Sequence, residues 1–223
     1  MSEPVLDGVE VQTADAPAAT VIWLHGLGAD GYDFVPVVRE LESQGAPKLR
    51  YVFPHAPMRA VTINNGFVMR AWYDIRTADL GHREDEGGIR ASQAAVEALI
   101  RREVGRGVGR ARIVLAGFSQ GAAIALQTGL RQAEPVAGII ALSGYLPLAE
   151  QLAAERHPDS LGVPILMAHG TDDPVVAVAR AQRSRELLLS LGYRLDWREY
   201  PMPHSVCAEE IEAIARFLRD RLG

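Results

Sequence analysis

The chain is poor in the groups on which several large protein classes depend. Cys207 is its only cysteine, so no internal disulfide can form and a reducing compartment, by default the cytoplasm, is expected. No apolar run approaches the length that crosses a bilayer, and Met1-Ser2-Glu3-Pro4 is not a basic region leading into an apolar segment. Neither stable membrane insertion nor a secretory signal is predicted. Positive charge is not in surplus: the formal net charge is −5, which argues against nucleic acid as the main partner because phosphate binding needs a basic face. The one locally basic stretch, Arg101, Arg102, Arg106, Arg110 and Arg112 among Gly105, Gly107 and Gly109, reads as a solvated loop joining a helix to a strand. There is no H-E-x-x-H and no cysteine pair, and the six histidines are scattered. Chemistry without metal or cofactor is the expectation.

What is present is an alternation of strand-like and helical patterns over 223 residues with a hydrophobic fraction of 48%, enough for one α/β domain, 1–223, burying a full core. Strand-like runs occupy 20–24, 50–53, 112–116, 139–142, 164–168 and 194–200, and helical spacing occupies 34–41, 89–104, 120–130 and 176–191. In a last helix, opening near Ala208, Ile211, Ile214, Ala215, Leu218 and Leu222 make the stripe that buries one face. The fold class predicted is α/β, a mostly parallel central sheet with helices on both faces and no room for a separate cap domain.

The most specific local signal is Gly117-Phe118-Ser119-Gln120-Gly121, directly after the apolar run Ile113-Val114-Leu115-Ala116 and before the small-residue helical pattern from Ala122. G-x-S-x-G alone arises easily by chance. Between a strand and a helix it has a mechanical reason, because glycines let the backbone reverse tightly enough to expose a serine hydroxyl.

A serine hydroxyl needs a general base, and the base needs an orienting acid. In the order serine, acid, histidine, only His157, His169 and His204 follow Ser119. His204 fits best, in Pro201-Met202-Pro203-His204-Ser205 after a strand-like run. His157 sits in a charged surface stretch, and His169 reads as packed at a strand end. For the acid, Asp172 and Asp173 both follow His169-Gly170-Thr171. Pro174 biases Asp173 towards an extended conformation that projects its carboxylate, which leaves Asp172 to hydrogen-bond amides of its own turn. Residue chemistry favours Asp173 and keeps both in view.

Acyl transfer also needs donors for an oxyanion. The amide of Gln120, the residue after the serine, is one. The amide of Leu27, in the glycine-rich exit His25-Gly26-Leu27-Gly28-Ala29-Asp30-Gly31 from an early strand, is the natural second. Nucleotide-cradling patterns are absent from that loop.

His25-Gly26-Leu27-Gly28-Ala29-Asp30, Pro54-His55-Ala56-Pro57 with Val61-Thr62 and Asn64, Ala71-Trp72-Tyr73-Asp74, the Ser119 pentapeptide, His169-Gly170 with Asp173, and Pro201-Met202 with His204 occur in that order along nearly the whole chain. Together they resemble the phospholipase/carboxylesterase family of α/β-hydrolases, which includes bacterial carboxylesterases and acyl-protein thioesterases. The resemblance implies a serine hydrolase of carboxylic esters or thioesters, with Ser119, Asp173 and His204 as triad and the Leu27 and Gln120 amides as oxyanion hole. It also decides between the aspartates in favour of Asp173. Carboxylesterase activity on short to medium acyl chains is the main expectation, with thioesterase or lysophospholipase activity as the alternative and a non-catalytic binding protein on the same scaffold a remoter one. The family's members often pair into homodimers. Against the family's pattern, Pro203 stands where glycine is common near the base, and Arg70-Ala71 precedes Trp72, placing a cation beside the expected substrate groove.

Residues 59–75 follow neither helical nor strand period yet hold Val61, Ile63, Phe67, Val68, Met69, Trp72 and Tyr73. Such a segment is a pocket wall, a lid, or a loop covering the core. The resemblance favours a substrate groove built by Val61, Phe67, Met69 and Trp72, for a small ester or acylated substrate. The charged stretch from Asp79 to Glu86 is expected to be solvated.

Overall fold

Near-continuous apolar runs become buried parallel strands. β2 (Thr20–Leu24), β6 (Ile113–Phe118), β7 (Gly138–Leu142) and β8 (Ile165–Gly170) are buried over almost their whole length, as strands covered on both faces must be. The structure is a computed structural model that describes residues 6–77 and 84–223. With β1 (Gly8–Gln12), β3 (Arg50–Pro54) and β9 (Leu195–Tyr200), these strands form a seven-stranded sheet in the order β1-β3-β2-β6-β7-β8-β9. Every pairing is parallel except that of β1 with β3. The sequence predicts six of the seven strands. The addition, β1, is an edge strand whose residues are only exposed or half-buried, so it lacks the apolar run that marks the others.

Alternation along the strands divides the core between the two faces. Ile22 and Leu24 pack with α2 (Glu86–Gly105), α3 (Gln120–Gly129), α4 (Ala149–Glu155) and α5 (Val178–Ser190), through residues such as Leu99, Ile124, Leu152 and Leu188. Val21 and Trp23 face α1 (Val37–Ser43) and α6 (Ala208–Leu222), through Val38, Leu41, Ile214 and Leu218. The expected first helix, 34–41, starts late because Pro36 takes the N-cap, a position where its missing N–H is not needed. Among the described residues, no helix is long and apolar enough to cross a membrane.

Three sequence expectations need correction. The arginine-rich stretch is not a plain solvated loop. Arg102 and Arg106 lie at the end of α2 and its cap, where they join Arg50 and Thr20 around the fully buried Glu103, with Glu10 bridging both arginines. A buried carboxylate is tolerable only with such partners.

The segment 59–75 is not irregular. β4 (Met58–Val61) and β5 (Phe67–Arg70) pair as an antiparallel hairpin, in register from Met58↔Arg70 to Val61↔Phe67. Its turn runs through Asn65 (φ 55°) and Gly66 (φ 75°), residue types that accept the left-handed region.

In the charged stretch, residues 79–83 lie outside the described residues, but Glu84 and Asp85 are not merely solvated. Glu84 accepts from the Leu148 amide, while Asp85 caps α2 through the Gly88 amide and accepts from the Asp74 amide and Arg76.

Candidate active site

Because β2, β6, β8 and β9 run parallel, the segments leaving their C-terminal ends emerge on one edge of the sheet, where open α/β sheets place their sites. Four expected groups ride on those exits: Leu27 after β2, Ser119 after β6, Asp173 after β8 and His204 after β9.

Ser119 sits at φ 55°, ψ −118°, a left-handed conformation rare outside glycine. The neighbouring packing holds it there. A Cβ on Gly117 would lie 2.3 Å from the Gly121 carbonyl carbon, and one on Gly121 would lie 2.1 Å from the Leu24 oxygen. The Ser119 amide donates to Leu142 O at 2.8 Å and its carbonyl accepts from the Ala123 amide at 3.2 Å. Both backbone groups are thus satisfied, and the side chain caps no helix amide.

His204 Nδ1 lies 2.6 Å from Asp173 Oδ2, and the imidazole packs on Phe118, the residue before the serine, at 4.7 Å between ring centroids. Asp173 Oδ1 accepts the amides of Val175 and Val176 at 2.8 and 2.9 Å, which fixes the carboxylate's direction. The expected division of labour between the aspartates is therefore corrected: Asp173, not Asp172, takes the amides of the turn. Asp172 is exposed, with Thr171 Oγ1 3.4 Å from its carboxylate.

His169 is fully buried, with Nε2 2.8 Å from Val176 O and 3.4 Å from Asp173 Oδ2. Desolvation lowers its pKa, which favours a neutral ring beside the Asp173 carboxylate. His157 lies half-buried at the start of a 3-10 turn that precedes β8 rather than following it.

The loop after β2 is tied down by His25. Its Nδ1 lies 2.7 Å from Gly26 O and its Nε2 accepts the Ala56 amide at 3.0 Å, a pattern only the neutral Nδ1–H tautomer satisfies. Burial lowers its pKa in the same direction. Leu27 and Gln120 line one pocket with Ser119, and among the described residues neither amide makes a hydrogen bond within the chain.

That pocket, of about 260 Å³, is walled by Ile63, Asn64, Tyr73, Ile75, Tyr145, Val175 and Val176. None of the four expected groove residues is among its walls; Val61 and Trp72 are fully buried. Phe67 is exposed on the hairpin, and Met69 is half-buried, 3.5 Å from Asn64 Nδ2. Arg70 spends its guanidinium on the Ala56 carbonyl rather than facing the pocket. Tyr145, which shares a 2.7 Å hydroxyl contact with Tyr73, is a wall residue outside the sequence expectations. Its signal was available in Ser143-Gly144-Tyr145, directly after β7 on the same sheet edge. Larger cavities of about 410 and 640 Å³ lie elsewhere, and neither touches Ser119.

Comparison with known proteins identifies the family. The family model described as phospholipase/carboxylesterase matches residues 7–222. Acyl-protein thioesterase 1 of Neurospora crassa is 42% identical over 213 residues, covering 92% of this chain and 87% of the relative. Among solved structures, Arabidopsis thaliana SOBER1 superposes with a TM-score of 0.87 at 30% identity, covering 92% of this chain and 99% of that one. Zea mays acyl-protein thioesterase 2 does so with a TM-score of 0.81 at 29% identity, covering 97% and 100%. The chain belongs to the phospholipase/carboxylesterase family of α/β-hydrolases.

Proposed function

We propose that this protein is a serine hydrolase that cleaves acyl thioesters, with Ser119 as nucleophile, His204 as general base and acid, and Asp173 as the orienting carboxylate. The observation that carries the reading is the 2.6 Å contact between His204 and Asp173 beside a serine held in a strained turn. His204 Nε2 takes the Ser119 proton as Oγ bonds to the acyl carbon. The oxyanion is received by the Leu27 and Gln120 amides, each worth roughly 3 kcal/mol by analogy with other acyl transferases. The C–S bond then breaks, His204 returns its proton to the departing sulfur, and water repeats the sequence to release the acid and regenerate Ser119.

Thioesters are preferred in this reading because relatives aligned over nearly the whole chain carry the name acyl-protein thioesterase. Carboxylic oxoesters, favoured by the family's description, are the second substrate class. The same oxyanion site serves both, and a thiol, with a pKa of roughly 8.5, leaves with less help from the acid. A pocket of about 260 Å³ is small beside ligand pockets of roughly 300–1,000 Å³, which favours short to medium acyl groups.

The test is to measure thiol or alcohol release from matched thioesters and oxoesters of graded acyl length, while trapping the acyl-enzyme for peptide mapping. Faster turnover of thioesters, an optimum below the longest chains and acylation at Ser119 are expected. Oxoester-only turnover would return the carboxylesterase reading to first place, and an adduct on another residue would overturn the mechanism.

A further inference from the structure

The two amides assigned to one oxyanion lie on separate segments, Leu27 after β2 and Gln120 at the head of α3. Their separation must be held to a fraction of an ångström for both to act on one atom. Trp72 is bonded to both segments. Its indole Nε1–H donates to His25 O at 2.9 Å, and its main-chain N–H donates to Gln120 Oε1 at 2.8 Å. Gln120 Nε2 returns a bond to Tyr73 O at 2.7 Å, and Ser92 Oγ donates to Trp72 O. Every polar group of Trp72 is thus engaged, and the side chain has no exposure, so it cannot be a surface that substrate touches.

The His25 carbonyl that the indole holds also lies close against the backbone of α3. A Cβ on Gly121, in the first turn of α3, would lie 2.6 Å from that oxygen. From His25 the chain passes through Gly26, where a Cβ would lie 3.5 Å from Ser119 Cβ, to the Leu27 amide. The carbonyl is therefore the pivot of one oxyanion donor, fixed between the indole and the helix that presents the other donor.

We propose that Trp72 is a positioning residue of the oxyanion site: its two N–H groups set the spacing between the Leu27 and Gln120 amides, so it governs kcat rather than substrate affinity. This rests on the serine-hydrolase reading above.

Trp72→Phe keeps an aromatic ring and removes the indole donor. Active sites of wild type and variant are counted by fluorophosphonate labelling to completion. Then kcat and KM are measured on thioesters of several acyl lengths, alongside inhibition by an acyl trifluoromethyl ketone, which adds Ser119 Oγ and presents an oxyanion. The expected result is a fall in kcat per labelled site of roughly ten- to a hundredfold, with KM and the acyl-length profile unchanged and the ketone's inhibition constant raised by the same factor. Unchanged kcat per labelled site would overturn the proposal, as would a raised KM with a shifted length profile, the signature of a pocket wall. If Trp72→Phe does not fold, Gln120→Met, which removes the side-chain amide from the same bracket, is held to the same pattern and the same contradictions. Wild type that takes no label and turns over no acyl substrate would fail the serine-hydrolase reading itself, whereas active wild type beside an unaffected variant fails only the bracket.

Discussion

At the scale of single residues, the site depends on which proton sits on which nitrogen. Asp173 accepts from His204 Nδ1 while its other oxygen is occupied by the Val175 and Val176 amides, so the imidazole is left with Nε2 free to accept. Asp173→Asn keeps the shape and the two amide bonds, but its NH2 group then faces Nδ1 and selects the tautomer with the proton on Nε2. The variant is expected to fold normally and to lose about 10³–10⁴-fold in kcat, as in other triads. Near-wild-type turnover would mean that Asp173 does not orient the base. The sequence made this residue legible through Pro174 and the family resemblance. It did not reveal that Asp173 also takes the turn's amides, because adjacent aspartates offer the same chemistry and only the path of the backbone separates them.

At the scale of elements, local rules predicted the strongly patterned pieces and missed those set by tertiary context. The Ser119 turn was readable because glycines on both sides of a serine between a strand and a helix have a steric reason to be there. The hairpin of β4 and β5 was not, since its turn comes from Asn65 and Gly66 after a short 3-10 segment and its strands are only four residues each. From sequence Trp72 looks like pocket lining, because an aromatic in an apolar stretch has the same pattern whether it faces a ligand or braces a loop.

The first turn of α6 carries a further consequence. Glu210 is fully buried with no hydrogen-bond partner in good geometry on either carboxyl oxygen, and burial pushes its pKa up to about 8, the Cys207 amide opposing only partly. Between about pH 4.5 and pH 8 the folded chain holds this proton and the unfolded chain does not. The stability contributed by Glu210 is therefore intact below that window and lost as pH rises through it. Buried His25 and His169, with lowered pKa values, act in the opposite sense, losing stability as pH falls below their unfolded value. Glu210→Gln is expected to unfold at a higher temperature than wild type at pH 8 and to shift less between pH 5 and pH 8. Parallel unfolding curves across that range would contradict a buried, protonated Glu210.

At the scale of the whole molecule, parallel pairing is what turns distant sequence motifs into one site. Residues separated by most of the chain come to one edge because strands running in one direction end there, and the order β2, β6, β7, β8, β9 across the sheet sets the order of the segments bearing Leu27, Ser119, Tyr145, Asp173 and His204, the groups to which the proposed mechanism gives its roles. That convergence was legible from the alternation of strands and helices together with the spacing of the motifs. The identity of most pocket walls was not, because residues such as Ile75 and Val176 are gathered by packing rather than by any local pattern. The central claim is that Ser119 and His204 work as a unit. Its most direct test is kcat for Ser119→Ala, His204→Ala and the double variant on one thioester. Each single change is predicted to cost about 10⁴-fold or more, with the double change adding little further loss. Losses that multiply in the double variant would contradict a shared relay.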